Sequence, residues 1–480
     1  MRNLPQVVVT LLASCVAAAA VAQTPSPDLR WGPARVAIAG GDSMTVDTAT
    51  LSVPEWHRAP NGRQITLPVV RLASKAAVPG APLLYLAGGP GASGVNELRN
   101  GDRAPLFVAL SAISDVILID QRGTGRSRPS LVLPGRLDLP SDKPINDPEV
   151  LRGLASRIAT AVSALKASGV DLDAYNTVES ALDMEQLRLA LHVQRISLWG
   201  HSYGSHLALA MLKARGETLE RVIIGGVNGL DQRWRLPSDG DSWLARMDST
   251  IKARSPGSAA APSLLRDLRA LLGKLERAPL HAQVDGHDVL VGRDELATLI
   301  ALTAGDNTLV TRLPEIISQI NAGNVSPVAT QVQQTLRDRP LGTAMTYAMH
   351  IASGVNAARE ARIAKEARTA LLRNAINYPF NSPAVSRAFG MTPLGEAFRQ
   401  PVASNVPVLL MSGSLDGRTS ITDAEQVRQK LGNSRHIIID GAGHNFYTTT
   451  PRVLEQMLAF LRGEAVVSSH IQLPNAGPRD

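Results

Sequence analysis

Ser202 is the residue whose surroundings best fit a role in covalent chemistry. It is the centre of Gly200-His201-Ser202-Tyr203-Gly204, which matches the pattern G-x-S-x-G. A buried strand is predicted over residues 196–199, directly before the pentapeptide, and an apolar helix over residues 207–212, directly after it. Such a strand–turn–helix lifts a serine hydroxyl above the edge of a sheet, while the flanking glycines avoid Cβ clashes with its neighbours. The pattern therefore predicts that Ser202 is a nucleophile.

Asp416 and His444 are the predicted partners of Ser202. A serine hydroxyl becomes nucleophilic when a histidine, oriented by a carboxylate, accepts its proton, and after this kind of turn the chain order is serine, acid, histidine. Asp416 follows a predicted strand over residues 408–411, and His444 follows another over residues 437–439. Because the carboxyl ends of parallel strands meet at one edge of a sheet, we expect the three side chains to form a catalytic triad.

Other histidines and one other carboxylate are weaker candidates. A base at His201 or His206 would break the chain order, so we expect these rings to take part in packing. Asp440 is interpreted as a carboxylate at a strand end. Three further histidines lack a comparable loop setting and are expected to be structural or exposed: His192, His350 and His436.

Two backbone segments are predicted to supply the N–H groups of an oxyanion hole. One donor should be Tyr203, directly after the nucleophile. The other should come from Gly88-Gly89-Pro90-Gly91, which follows a predicted strand over residues 83–87. Glycines let this backbone approach a substrate closely, and either Gly88 or Gly89 could donate.

A second glycine-rich loop, residues 120–127, follows the predicted strand over residues 116–119. Its glycines fit neither G-x-x-x-x-G-K-[ST] nor G-x-G-x-x-G, so the sequence does not indicate phosphate binding. We interpret the loop as a structural corner in which Arg122 pairs with an internal carboxylate.

The order of predicted elements indicates an α/β fold with a mostly parallel sheet. Strands and helices alternate up to residue 230 and again after residue 401, whereas the intervening segment is predicted to be helical and to follow the sixth strand. We therefore expect a leader, a first core segment, a helical cap insertion, a second core segment and a C-terminal tail. Their predicted ranges are residues 1–22, 23–230, 231–401, 402–463 and 464–480.

The composition and the first residues indicate an exported globular protein. The chain has 480 residues, 44% of them hydrophobic, and its net charge of +7 is scattered, which argues against a nucleic-acid surface. Arg2, an apolar stretch and Ala20-Val21-Ala22 form a cleavable leader, which predicts a periplasmic or secreted location. The alternative is a lipid anchor at Cys15, the only cysteine. No other segment is apolar enough to span a membrane, no cofactor is expected, and the oligomeric state stays open.

Together these motifs resemble the proline iminopeptidase and tripeptidyl aminopeptidase family of α/β-hydrolase serine peptidases, especially its secreted bacterial branch. The resemblance implies an α/β-hydrolase fold, a triad of Ser202, Asp416 and His444, and a helical cap above the pocket. It covers residues 45–230 and 405–462. The motifs that carry it are Ala49-Thr50-Leu51-Ser52-Val53-Pro54, Gly88-Gly89-Pro90-Gly91, residues 120–127, Tyr175-Asn176-Thr177 with Ala181 and Asp183, Gly200-His201-Ser202-Tyr203-Gly204, Asp416 and Gly443-His444.

The family resemblance implies removal of residues from a free peptide N-terminus, but the cap departs from the family pattern. Relatives hold the substrate ammonium with acidic cap residues, whereas residues 347–354 contain neither an acid nor a cysteine. The usual Asp-Gly after the next strand is Gly225-Gly226. Four acids remain as possible substitutes: Asp231, Glu295, Glu315 and Glu360. The leading hypothesis is an aminopeptidase on small peptides, and the alternative is an esterase or amidase on other acyl substrates.

A protein of another class, a binding protein on a hydrolase scaffold, is disfavoured because all three triad residues are present. Halide- or epoxide-processing chemistry is disfavoured because it would need a carboxylate in place of Ser202.

Overall fold

A large twisted sheet runs through the protein and carries the predicted site residues at one edge. The structure is a computed structural model that describes residues 28–38, 41–254, 263–466 and 469–474. The predicted leader, with Cys15, lies outside the described residues. Within the described ranges, each helix is too short or too polar to cross a lipid bilayer.

The strands are β1 (Gly32–Ala37), β2 (Ser43–Pro54), β3 (Gln64–Leu72), β4 (Gly80–Leu86), β5 (Ser114–Ile119), β6 (Ile196–His201), β7 (Leu219–Gly225), β8 (Leu280–Val284), β9 (His287–Val291), β10 (Val408–Gly413), β11 (Ser434–Asp440) and β12 (His470–Gln472). Ten of them form one sheet in the order β1-β2-β3-β5-β4-β6-β7-β10-β11-β12. The first three are antiparallel to their neighbours, and the strands from β5 to β12 in that order are parallel. This arrangement confirms the predicted fold class.

The helices are α1 (Ala104–Leu110), α2 (Pro148–Ala167), α3 (Thr177–Ala190), α4 (Tyr203–Arg215), α5 (Pro237–Ala253), α6 (Leu264–Arg277), α7 (Arg293–Thr303), α8 (Leu309–Asn321), α9 (Ser326–Val332), α10 (Ala344–Ser353), α11 (Ala357–Glu366), α12 (Pro383–Phe389), α13 (Glu396–Arg399), α14 (Ile421–Arg428) and α15 (Pro451–Arg462). Successive strand residues point to opposite faces of the sheet. Leu198 of β6 packs in a cluster with α2, α3 and α4, whereas Trp199 packs in another with α1 and α15. Both faces are therefore covered, which explains why the central strands are continuous apolar runs.

The N-terminal strands differ from the prediction by one element. β1 was not predicted, so the insertion follows the seventh strand of the chain and not the sixth. β1 is an edge strand whose residues alternate between half-buried and exposed, and it contains Pro33. Such a strand lacks the continuous apolar run that marked the central strands.

The segment between β7 and β10 is largely helical, as predicted, but it differs in two details. It also contains the antiparallel pair β8–β9, joined by a turn at Asp285-Gly286. Apolar residues recur with helical periodicity over residues 344–370 and predict a continuous helix, but the structure has two helices there, α10 and α11. Gly354 ends the first of them with a φ of +55°, a left-handed conformation that glycine adopts without steric cost.

Hydrophobic packing divides the inserted segment into two parts. Residues from Trp243 to Leu336 form most of a separate apolar cluster, which includes Leu268 and Leu313. In contrast, Met345 and Met349 of α10 belong to the same cluster as β6 and α4. The first part has its own core, and the second part packs directly on the sheet domain next to the predicted site.

The C-terminal tail also contains structure that the sequence analysis did not predict. His470–Gln472 forms β12, which pairs in parallel with β11 at the edge of the sheet. Asp440, at the end of β11, accepts a hydrogen bond from His470 Nδ1 at 3.1 Å. A strand of three residues is too short to be recognised from periodicity.

Candidate active site

Ser202 lies in a strained turn between β6 and α4. Its φ and ψ are 55° and −119°, and its backbone N–H donates to Gly225 O at 2.8 Å. A Cβ atom on Gly204 would lie 1.9 Å from Leu86 O of β4, and one on Gly200 would lie 2.3 Å from Gly204 O. Neither glycine could be replaced without moving backbone, as the sequence analysis expected. The turn thus has the geometry that raises a serine above a sheet edge.

Asp416 and His444 lie in contact, as the chain order predicted. His444 Nδ1 is 2.6 Å from Asp416 Oδ2, and both side chains are buried. Asp416 also accepts from the backbone N–H of Arg418 at 2.7 Å and from the hydroxyl of Thr419 at 2.5 Å. Burial raises the pKa of Asp416, but His444 and these hydrogen bonds outweigh it, so the pKa lies below its ordinary value. The carboxylate is held ionised and oriented toward the imidazole.

Gly225 and Gly226 lie between Ser202 and His444. Gly225 accepts the N–H of Ser202, and a Cβ atom on Gly226 would lie 2.8 Å from Cε1 of His444. The hydroxyl of Ser202 forms no hydrogen bond to any described residue, His444 included. Catalytic hydrogen bonds are often long or misaligned without substrate, and the serine hydroxyl can rotate.

The predicted oxyanion segments border the side chain of Ser202. A Cβ atom on Gly88 would lie 3.7 Å from Ser202 Oγ, whereas one on Gly89 would first meet its own loop. The side chain of Tyr203 is buried away from the turn, and its hydroxyl donates to Met349 Sδ at 2.9 Å. The backbone N–H of Tyr203 is at the N-terminus of α4, where unpaired N–H groups favour negative charge.

The cap contacts this loop through α10. Thr346 donates from its hydroxyl to Pro90 O at 2.8 Å, and Met349 contacts Tyr203. Helix α10 is therefore attached to both predicted oxyanion segments.

The competing histidines lie outside the triad, but two of them are close to it. The ring of His201 is 4.7 Å from that of His444, centroid to centroid, and burial lowers the pKa of His201. His206 contacts Gly229 O and Ser353 Oγ, at 3.0 and 3.1 Å, and burial lowers its pKa to about 3. His436 contacts Glu425 and Ser412, and His192 is largely exposed. The sequence analysis did not identify His201 as a neighbour of His444.

Arg122 has the internal carboxylate partner that was predicted. It donates from Nε and Nη2 to the two oxygens of Asp183, both at 2.7 Å, and from Nη1 to Glu55 O and Ala174 O. The guanidinium is fully buried. It ties the 120–127 loop to α3 and β2, which is a structural role.

The four acids considered as ammonium anchors are engaged elsewhere or exposed. Asp231 accepts from the backbone N–H and the side-chain amide of Asn356. Glu295 accepts from Arg337 at 2.9 Å and from the N–H of Ile145 at 2.6 Å. Glu315 and Glu360 are exposed.

Gly225 has no room for the acidic side chain that the family resemblance led us to expect after this strand. A Cβ atom there would lie 1.9 Å from the hydroxyl oxygen of Tyr447. Tyr447 fills this space and is buried. The cause of the replacement is not visible in the local sequence, because Tyr447 is more than 200 positions away.

Comparisons with known proteins agree with this geometry. A family model described as the α/β hydrolase fold matches residues 81–244, and one described as TAP-like protein matches residues 388–465. The first match contains Ser202, and the second contains Asp416 and His444.

Three relatives match parts of the chain. A tripeptidyl aminopeptidase of Streptomyces lividans is 27% identical over 224 residues, 42% of this chain and 41% of that protein. A proline iminopeptidase of Xylella fastidiosa is 27% identical over 157 residues, 33% and 35% of the two chains. Carboxylesterase B of Mycobacterium tuberculosis is 35% identical over 107 residues, 22% and 20%. The alignments thus span at most 41% of these relatives' lengths. The chain therefore has the α/β-hydrolase fold and is similar, over part of its length, to tripeptidyl aminopeptidase and proline iminopeptidase proteins.

Proposed function

We propose that the protein is a serine hydrolase in which Ser202, His444 and Asp416 form the triad and an acyl-enzyme is the intermediate. The observation that carries this proposal is the 2.6 Å contact of His444 Nδ1 with Asp416, at the same sheet edge as Ser202 in its strained turn. The contact fixes the tautomer in which Nε2 is free to accept a proton.

In this mechanism Ser202 Oγ attacks the substrate carbonyl while His444 takes its proton. Asp416 remains ionised, holds the imidazole in place and stabilises the imidazolium. The backbone N–H of Tyr203 and one N–H of the Gly88-Gly89 segment would stabilise the negative oxygen. His444 then protonates the leaving group, and a water molecule, activated by the same histidine, releases the acyl group from Ser202.

Peptides cleaved at a free N-terminus are the first candidate substrates. Support comes from the tripeptidyl aminopeptidase and proline iminopeptidase relatives and from the TAP-like match over residues 388–465. The large insertion that packs through α10 on the oxyanion loop is consistent with small substrates.

Esters or amides without a free amino group are the second candidate. The observation that favours them is the engagement of Asp231 and Glu295 in hydrogen bonds, with Glu315 and Glu360 exposed. A buried ammonium needs a carboxylate partner, and these acids do not offer one. The carboxylesterase relative supports the same candidate.

Export belongs to the proposal as well. It rests on the leader pattern of residues 1–22. Determination of the N-terminus of the protein in the cell that makes it would test this: residue 23 as first residue supports export, and a lipid on Cys15 supports the anchored alternative.

A fluorophosphonate probe tests the catalytic proposal directly. We expect labelling of the wild-type protein and of Ser130→Ala, a control at an exposed serine, and none of Ser202→Ala. Turnover of aminoacyl arylamides would support the peptide candidate, and turnover of short acyl esters without it would support the second. Labelling that survives Ser202→Ala would overturn the proposal.

A further inference from the structure

Two arginines beside the candidate site lack a carboxylate partner. Arg233 is 2% exposed, donates from Nη1 to Asn228 Oδ1 at 2.6 Å, and donates from Nη2 to His350 Nε2 at 2.8 Å. Its Nε has no hydrogen-bond partner among the residues that the structure describes. Arg235 donates from Nε to Arg418 O. Among the described residues, neither arginine forms a salt bridge.

This arrangement is unfavourable for a protein without ligand. A buried guanidinium with neutral partners keeps much of its desolvation cost, because an opposite charge is absent. Burial, and then the charge of Arg235, lowers the pKa of Arg233 to about 9. Arg235 has its pKa lowered to about 10 by burial and by Arg418. A buried cation at Arg233 and a half-buried one at Arg235 therefore lie close to each other without a salt bridge in the described ranges.

Each arginine contacts a residue next to a member of the triad, and the charge of Arg235 acts on Arg233. The guanidinium carbon of Arg233 is 5.5 Å from the ring centroid of Tyr203, the residue after the nucleophile. Arg235 contacts the carbonyl of Arg418, whose own N–H donates to Asp416 at 2.7 Å. The cations therefore border the elements that hold both the nucleophile and the triad acid.

The segment that carries the arginines is held rigidly. Asn377 accepts the backbone N–H of Arg235 and donates to its carbonyl, both at 2.8 Å. Arg359 donates to the carbonyl of Trp234 at 2.9 Å. A rigid segment presents its charges in a fixed place, which favours recognition of a ligand over general solubility.

The nearest carboxylates, Asp416 and Asp423, act on the charge of Arg235 but form no salt bridge with either arginine among the described residues. Asp416 is committed to His444, Thr419 and backbone N–H groups. Asp423 receives two hydrogen bonds from Arg359, at 3.1 and 2.8 Å. Both carboxylates are already paired with other groups, so a ligand carboxylate would be the first salt-bridge partner of these arginines within the described part of the chain.

We propose that Arg233 and Arg235 form a subsite for a carboxylate of the substrate, so that the enzyme prefers acyl substrates with a carboxylate near the scissile bond. This proposal rests on the serine hydrolase function proposed above. An ammonium anchor would attract cationic substrates, whereas this subsite would favour anionic ones. Acidic peptides or half-esters of dicarboxylic acids should therefore be preferred, and cationic acyl groups should be repelled. Arginine suits this role because its planar fork matches a carboxylate.

Three p-nitrophenyl esters of similar size would test the preference. Their acyl groups are glutarate with a free carboxylate, methyl glutarate without charge, and γ-butyrobetaine with a positive charge. The rates are corrected with Ser202→Ala protein as the blank, because a free carboxylate speeds spontaneous hydrolysis. We expect kcat/KM for the glutarate ester to exceed that for the methyl glutarate ester by at least about tenfold, with the cationic ester slowest.

In Arg235→Gln, the kcat/KM values for the glutarate and methyl glutarate esters should differ by no more than about threefold, because a charge-assisted hydrogen bond is lost. Arg368→Gln is the matched control, since Arg368 is exposed on the same insertion, and it should keep the wild-type ratio. Free glutarate should slow fluorophosphonate labelling of the wild-type protein, whereas dimethyl glutarate should not. That measurement needs no variant and stands if Arg235→Gln fails to fold.

The outcomes separate the two proposals. Labelling of Ser202 with equal turnover of all three esters, or without protection by glutarate, would overturn the carboxylate subsite and leave the hydrolase intact. An unchanged ratio in a folded Arg235→Gln would also overturn it. Absence of both labelling and turnover would instead overturn the hydrolase proposal, and the subsite with it.

Discussion

The sheet edge and the insertion treat charged side chains in opposite ways. At the edge, Asp416 is buried but has four hydrogen-bond donors, so its charge is kept and directed to His444. In the insertion, Asp231 and Glu295 accept structural hydrogen bonds. Arg233 and Arg235 form no salt bridge with any described carboxylate, and Arg233 donates to His350 instead. In the proposed function, the edge would carry out the reaction and the insertion would select the substrate. The same general mechanism can thus serve substrates of different charge.

The largest expected effect belongs to the edge. Asp416→Asn should lower kcat by about four orders of magnitude, because an amide favours the wrong tautomer of His444. Steady-state kinetics with the best ester substrate measures this loss. Asp440→Asn is the control, since Asp440 lies at the end of the neighbouring strand and contacts His470. Equal loss in both variants would contradict the proposed role of Asp416 as the triad acid.

The edge was predictable because its signals are local. The turn at Ser202, the loop at Gly88 and the turns that hold Asp416 and His444 each follow a short apolar strand, and the order of such strands determines where their ends meet. Contacts in the insertion join distant positions: Arg233 and His350 are 117 residues apart, and Glu295 and Arg337 are 42 apart. Helical periodicity shows which face of a helix is apolar, but it does not show which buried charges will meet.

Two further differences between the predicted and the observed secondary structure have the same physical origin. β1 was missed because an edge strand with a proline and one half-exposed face has little periodicity. The long helix expected from residue 344 was wrong at Gly354, where the apolar pattern continues but the backbone turns to positive φ. In both places, pairing and packing with distant parts of the chain decide the local structure.

In the insertion, substitution of Glu295 is expected to lower the stability of the protein without lowering its catalytic activity. Glu295→Ala leaves Arg337 buried without its partner, so the free energy of unfolding should fall by about 3–5 kcal/mol. Denaturant unfolding measures this change, and kcat/KM below the unfolding transition should stay near wild type. Glu360→Ala, at an exposed acid of the insertion, should change neither quantity. If Glu295→Ala selectively raised KM for amine-bearing substrates, Glu295 would be an ammonium anchor after all.

Gly88 lies beside Ser202 at the sheet edge, and its substitution should have an intermediate effect on rate. Its Cβ atom would lie 3.0 Å from His201 O and 3.1 Å from Ser202 Cβ, so Gly88→Ala must displace the loop predicted to supply an oxyanion donor. We expect kcat to fall by about 100-fold, the cost of one such donor. Gly240→Ala is the matched glycine control, because nothing lies within 4 Å of its Cβ position. Wild-type kcat in folded Gly88→Ala protein would exclude this loop from the oxyanion hole.

The smallest expected effect is on the pH dependence of stability. It concerns the seam between the regions, by which we mean the contact of His206 of α4 with Ser353 of α10. Burial, followed by the charge of Arg233, lowers the pKa of His206 to about 3 in the folded protein. Unfolded histidine binds a proton near pH 6.5, so between these values the unfolded state holds more protons and stability falls as pH falls. His206 should contribute up to about 1.4 kcal/mol per pH unit to this slope, and His206→Gln should remove that share.

Unfolding curves at several pH values between about 4 and 7 measure this slope of stability against pH. His201 and His350 are also buried, so the difference between wild type and variant isolates the share of His206. His192→Gln, at an exposed histidine, should leave the slope unchanged. An identical slope in His206→Gln would mean that the seam opens and hydrates this ring before the protein unfolds. In that case the insertion would move relative to the edge as pH falls, and the fixed position of the arginines beside the triad would hold only near neutral pH.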